Sequence, residues 1–315
     1  MSLVGFHVSS DAHGGLYYAI TSGYQAGANA MQVCLSPPAR TSPCAQLSGD
    51  EIEKITSFVR EHSLYLVVHG KYIYNFCNGV TWQQTSLLDE LSWAAKIGAD
   101  VVIHQGKNTA KLGLTREQAL RAFAYNLGQV LDRARQQKLT NRVILENSCQ
   151  QGTECGYTVQ ELAQIYNYFT PTQQAQLGFC LDLCHVFVAG AMDVRRPASV
   201  HVFFQRFNEL IGLDKLKVIH FNDSKIKFDG HNDSHEQLLM GFIGKAELGG
   251  SSQGFREVVK LAKQHQIPLV LETPGDPSHQ VQLLDAWWQA DSSADLVEQG
   301  YLDYYREHAP KVRRP

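Results

Sequence analysis

A chain of 315 residues with 44% apolar and 19% charged side chains can bury one large core, and a single domain over residues 1–315 is expected. A net charge of −3 excludes a uniformly basic surface, so any contact with nucleic acid must run through a local patch or bound metal ions. Seven cysteines with no CxxC pair exclude a full disulfide framework and a cysteine zinc ribbon; with no export leader or membrane-length apolar run, a soluble intracellular protein with reduced thiols is expected.

Short β-branched or apolar runs alternate with segments of helical spacing along the chain. Strands are predicted at Leu3–Val8 and Ala30–Leu35, then a helix over Asp50–His62 that Ser48 can cap. The strand Tyr65–His69 is followed by a helix over Ser86–Ile97, and Val101–His104 by one over Thr115–Gln137 with Thr115 and Gln118 spaced as a capping box. Arg142–Glu146, Leu177–Asp182, Lys217–Asn222 and Pro268–Glu272 complete the strands, with helices over Thr158–Tyr168, Ala198–Leu210 and Gly254–His265 between them. Eight alternations in one α/β chain point to a (β/α)8 TIM barrel, although an open doubly wound sheet has similar local patterns. A short tail after Pro310, with Lys311, Arg313 and Arg314, is expected to fray.

Six consecutive strand candidates end in a side chain able to ligate a metal: His69, His104, Glu146, Asp182, His220 and Glu272. One such residue is ordinarily a hydrogen-bonded structural group, but six in succession are not explained that way. In a parallel barrel all strand C-termini open onto one face, so these groups converge. Asp182-x-x-His185 and Asp233-x-His235 add donors at short spacing. Five histidines and four acids exceed what one ion accepts while keeping an open position, which implies two or three ions. Such mixed ligation suits hydrolytic zinc, with manganese or iron as partial substitutes, and neighbouring cations suit phosphodiester hydrolysis.

In order along nearly the whole chain, His69-Gly, His104-x-Gly, Glu146-Asn-Ser-x-x-Gln-Gly, Asp182-x-Cys-His185, His220-x-Asn-Asp-Ser-Lys, Asp233-x-His235-Glu and Leu-Glu272-Thr-Pro resemble the endonuclease IV family. The resemblance implies three zinc ions: one held by His69, His104 and Glu146, a second by Glu146, Asp182, His220 and Glu272, a third by His185, Asp233 and His235. It further implies incision of double-stranded DNA 5′ to an abasic site by a metal-bridging hydroxide, leaving a 3′-hydroxyl and a 5′-deoxyribose phosphate, with trimming of blocked 3′ ends as a second activity. Glu146 and Glu272 would be catalytic, Arg40 and Tyr72 would meet the bent DNA around the flipped abasic nucleotide, and Lys225 would contact phosphate. A monomer is expected. Gln105, Gln150 and Leu239 depart from the family, where a proline and two glycines are usual; none is a ligand, but each alters what its loop backbone can adopt.

Other features read as structural. His62, His201, His265, His279 and His308 fall on helices or their ends, and His7, His13 and His231 lack ligand spacing. Trp82, Trp93, Trp287 and Trp288 fit packing better than base stacking, and Cys180 and Cys184 pack beside Asp182. Two rivals stand: a sugar isomerase or epimerase holding one ion on Glu146, Asp182, His220 and Glu272, and a zinc-bearing DNA-lesion binder that does not cut.

Overall fold

The computed structural model describes residues 2–9, 15–290 and 293–308; His13 and the basic tail lie outside them. The elements run β1 (Val4–His7), α1 (Gly15–Gln25), β2 (Ala30–Val33), α2 (Gly49–Glu61), β3 (Tyr65–His69), α3 (Thr81–Lys96), β4 (Asp100–His104) and α4 (Arg116–Gln136). There follow β5 (Val143–Glu146), α5 (Val159–Asn167), α6 (Pro171–Gln174), β6 (Leu177–Asp182), α7 (Leu183–Val188), α8 (Pro197–Leu210) and β7 (Leu216–His220). The chain closes with β8 (Asp223–Ser224), β9 (His235–Glu236), α9 (Ser252–His265), β10 (Leu269–Leu271), α10 (Pro277–Gln289) and α11 (Ala294–His308).

Eight parallel strands close into a barrel in the order β1-β10-β7-β6-β5-β4-β3-β2, while β8 and β9 form a separate antiparallel ribbon. The eight barrel strands correspond to the eight predicted from sequence, and closure excludes the open sheet. Ser48 and Thr115 cap α2 and α4, the latter through the full capping box. Helix α3 begins five residues before its predicted start. The ribbon, α6 and the one-turn-and-a-half α7 have no counterpart in the predicted elements, being too short for periodicity to register, and the longer α1, α10 and α11 have none either.

One layer inside the barrel consists of Ala30, Val67, Val102, Ile144, Cys180, Val218 and Val270, all buried, one from each of seven strands. The eighth strand contributes Gly5, where an added Cβ would fall 1.8 Å from the Ala30 carbonyl oxygen, so only glycine lets β1 and β2 close at this height. Side chains alternate along a strand, so the residue two further on also faces the barrel axis, one layer nearer the mouth. From those eight positions this step reaches His7, Gln32, His69, His104, Glu146, Asp182, His220 and Glu272. The outward-facing neighbours, such as Val101 and Ile103 of β4, are buried with the helices in the large outer core. Among the described residues no helix is long and apolar enough to cross a membrane.

Candidate metal centre

The apolar layer forms the floor, and the ring above it holds the polar groups. Register pairs His104 with Glu146 and Asp182 with His220 across neighbouring strands. Glu272 stands one residue past β10, anchored by its backbone N–H donating to Asn222 Oδ1 at 2.8 Å. Asp182 has two tasks: Oδ1 accepts from the backbone N–H of His185 at 2.8 Å and caps α7, while Oδ2 faces the cluster. The Asp-x-x-His spacing is therefore that of a helix cap and its third residue, and it turns His185 back over the ring. The β8–β9 ribbon sets His235 opposite Ser224 and brings Asp233 above the mouth.

All nine sequence-predicted donors converge. Glu146 lies at the centre: one carboxylate oxygen is 3.3 Å from His69 Nε2 and 3.5 Å from His104 Nε2, the other 2.9 Å from His220 Nδ1 and 3.5 Å from His185 Nδ1. His220 Nδ1 is also 3.1 Å from Glu272. Asp233 lies 3.2 Å from His185 Nε2 and 3.1 Å from His235 Nε2, and His235 Nε2 is 3.5 Å from Asp182. Three compact donor sets result: His69 with His104 and Glu146; Glu146 with Asp182, His220 and Glu272; and Asp182 with His185 and His235, which Asp233 adjoins.

Two observations fit this site to cations. His185 Nε2 and His235 Nε2 are buried and converge on one carboxylate, Asp233, at 3.2 and 3.1 Å. Two imidazole nitrogens aimed at one carboxylate form a donor set that a cation can enter in place of their protons. Second, Glu146, Asp182 and Glu272 crowd three carboxyl groups together, two of them wholly enclosed, an arrangement that needs positive charge. Burial works against ionising Glu146, yet His104, His220 and His69 hold its carboxyl well below the usual range. Burial likewise favours neutral His185 and His220, but the acids around them drive both well above the ordinary imidazole value.

The unused ring nitrogens orient the ligands, as metal-binding histidines require. His69 Nδ1 lies 2.8 Å from the Gly70 carbonyl, His185 Nδ1 3.0 Å from that of Asn147, and His235 Nδ1 3.4 Å from that of Glu272. Asn222 Nδ2 donates to Asp182 Oδ2 at 2.7 Å and Glu272 Oε2 at 3.3 Å, and Asn147 Oδ1 accepts from the Asp182 backbone N–H at 2.7 Å. Sequence reasoning missed Asn147, Asn222 and Gln32; the step of two from the barrel layer would have found Gln32.

A cavity of about 580 Å³ opens above the ring, walled by Tyr72, Ile73, Asn75, Lys107 and Gln151 together with seven of the nine donors. Asp182 and His220 lie beneath it, fully buried. The Tyr72 ring is half exposed and meets His69 edge-on at 4.8 Å between centroids. Arg40 and Lys225 are exposed on neighbouring loops and do not wall the cavity. The Tyr72 loop is tied down by an ion pair that sequence did not suggest: Lys71 Nζ donates to Glu90 Oε1 at 3.1 Å and to Ser36 Oγ at 2.8 Å, all three buried. Tyr74 donates to the other Glu90 oxygen at 2.8 Å, and the Tyr72 N–H to Pro38 O at 2.9 Å, which joins the loops after β2 and β3. Trp287 and Trp288 are buried in packing, and His201 pairs with Glu257 on the helical surface.

Residues 23–250 match the family model for the xylose isomerase-like TIM barrel. The chain is 32% identical over 280 residues to the "Probable endonuclease 4" of Halothermothrix orenii, spanning 86% of this chain and 93% of that one. It is 25% identical to the apurinic-apyrimidinic endonuclease 1 of Saccharomyces cerevisiae over 93% of this chain and 78% of the yeast protein. The crystal structure of endonuclease IV from Thermus thermophilus superposes with a TM-score of 0.74 at 25% identity, covering 91% of this chain and 99% of that one.

Proposed function

The chain belongs to the endonuclease IV family, and from that premise we propose that it is a DNA-repair apurinic/apyrimidinic endonuclease that hydrolyses the phosphodiester 5′ to an abasic site. The observation that carries this reading is the sharing of donors: Glu146 belongs to two donor sets and Asp182 to two, so the site suits a cluster of ions and not one. His69, His104 and Glu146 would hold the first zinc ion, Glu146, Asp182, His220 and Glu272 the second, and His185, Asp233 and His235, with Asp182 beside them, the third. When bound, the ions supply a water acidic enough to attack at neutral pH and positive charge for the phosphate and departing 3′-oxygen.

The chain's own groups do the positioning. Glu146, drawing on imidazoles on both sides, keeps its carboxylate charged despite full burial. Glu272 is likewise held below the usual carboxyl range, since His220 outweighs the effect of burial. Tyr72 stands at the rim against His69, where its exposed face can pack on the nucleotides flanking the lesion. Arg40, exposed on the loop after β2, would meet the bent double-stranded DNA around the lesion, and the exposed Lys225 would contact phosphate. The donors left over by a one-ion site count against a sugar isomerase, because His69, His104, His185, Asp233 and His235 would then converge on the mouth with no ion to hold.

The test is a duplex carrying one abasic-site analogue, incubated with the zinc-loaded protein, with the chelated protein and with Glu146→Gln. Incision 5′ to the lesion leaving a 3′-hydroxyl, lost in the variant and after chelation, supports the reading; a second duplex with a blocked 3′ end reports trimming. Tight binding without cutting by protein of confirmed zinc content would favour a lesion binder, and turnover of a ketose would favour the isomerase.

A further inference from the structure

The barrel mouth carries eight ring positions, and the proposed ligands use six of them. The remaining two are His7 of β1 and Gln32 of β2, paired in register with one another. Gln32 is completely buried, an expensive place for a carboxamide unless all its hydrogen-bonding capacity is used.

It is used. Gln32 Oε1 lies 2.8 Å from His220 Nε2, and Gln32 Nε2 lies 2.6 Å from Glu272 Oε1 and 3.2 Å from His7 Nδ1. These contacts allow one polarity. Glu272 accepts only, so the amide nitrogen must face it, and that fixes the amide oxygen toward His220. An oxygen can only accept, so His220 must carry its proton on Nε2. Its Nδ1, which points at Glu146, Glu272 and Asp182, is then the nitrogen whose lone pair an ion can take. The second amide hydrogen goes to His7 Nδ1, which must accept. In His69, His185 and His235 the opposite nitrogen, Nδ1, is occupied by a backbone carbonyl. Unlike those three, His220 has a side chain as its orienting partner, and that side chain also grips Glu272, a donor of the same set.

We propose that Gln32, backed by His7, is a positioning residue that sets the tautomer of His220 and the orientation of Glu272 for the ion they share. The proposal rests on the multi-zinc reading above. Partners of this kind typically change metal affinity by about 10–100-fold.

Gln32→Met removes both contacts at nearly constant volume. Zinc release into excess chromogenic chelator should acquire a phase at least about tenfold faster for one ion. With cobalt in place of zinc, the d–d absorption should change in the same variant. Gln32→Asn, too short to reach both partners, should behave likewise. Should both variants fail to fold, the wild-type protein still decides: long-range 1H–15N spectra of its zinc-loaded form should show one ligand histidine protonated on Nε2 among others protonated on Nδ1. Wild-type release kinetics and an unchanged cobalt spectrum in a folded variant, or His220 protonated on Nδ1, overturns the role of Gln32. Wild-type protein that binds fewer than two ions overturns the multi-zinc reading instead.

Discussion

Glu146 Oε1 lies 2.9 Å from His220 Nδ1, so a residue at the end of β5 meets one at the end of β7 across the strand between them, while its other oxygen faces His69. A side chain that serves two donor sets cannot be shortened without leaving one. Glu146→Asp should retain the barrel by circular dichroism yet lose at least one zinc ion by elemental analysis. Incision should fall by at least about a thousandfold, the scale of several kcal/mol of lost charge stabilisation. Full zinc content with wild-type turnover would count against the shared role.

Zinc affinity should depend on pH through His235. Burial favours its neutral form, but Asp182 and Asp233 outweigh that and put its pKa at about 9. The metal-free site therefore holds a proton there at neutral pH, which zinc must displace. The sign follows: affinity rises from pH 7 toward 9, up to about tenfold per unit for each proton displaced, and the contribution of His235 levels off above. Competition with a chelator of known pH behaviour measures this; a flat profile would refute it.

Tyr72→Ala removes a half-exposed ring from the rim without touching a donor. Loss of one stacking face costs about 1–3 kcal/mol of binding. KM for abasic duplex should rise roughly tenfold or more with zinc content unchanged, and unaltered KM would place the DNA elsewhere.

The Lys71–Glu90 pair is fully enclosed. Glu90→Gln leaves the ammonium without its counter-charge and should cost about 3–5 kcal/mol in urea denaturation, whereas Lys71→Met combined with Glu90→Gln should recover much of that. Equal losses in the single and double variants would mean the pair is not a unit.

Gln150 and Leu239, expected from the resemblance to replace glycines, both adopt left-handed backbone, with φ of 61° and 62°. Glycine relieves roughly 1–2 kcal/mol of strain at such a position and loses about 0.5–1 kcal/mol to chain entropy. Gln150→Gly should therefore leave stability unchanged or slightly raised. Leu239 is buried, and Leu239→Gly should still destabilise by about 2 kcal/mol or more because the apolar contacts are lost. Identical shifts in melting temperature for the two would contradict this.

The strands, their number and the donors at the ends of six of them are legible in the residues alone, because a short β-branched or apolar run and the chemistry of a strand-terminal His, Asp or Glu are both local. The caps at Ser48 and Thr115 are legible for the same reason. Closure of the sheet, the meeting of β1 with β10, and contact between residues more than two hundred positions apart, such as Gln32 and Glu272, emerge only in the assembled barrel. So does the choice of which nitrogen of His220 faces the cluster, since that depends on a hydrogen bond from another strand. A glutamine on a β-strand carries no mark of its partner in its own neighbours; closure of the barrel supplies the partner, and the cost of burying an amide unpaired then leaves it one orientation.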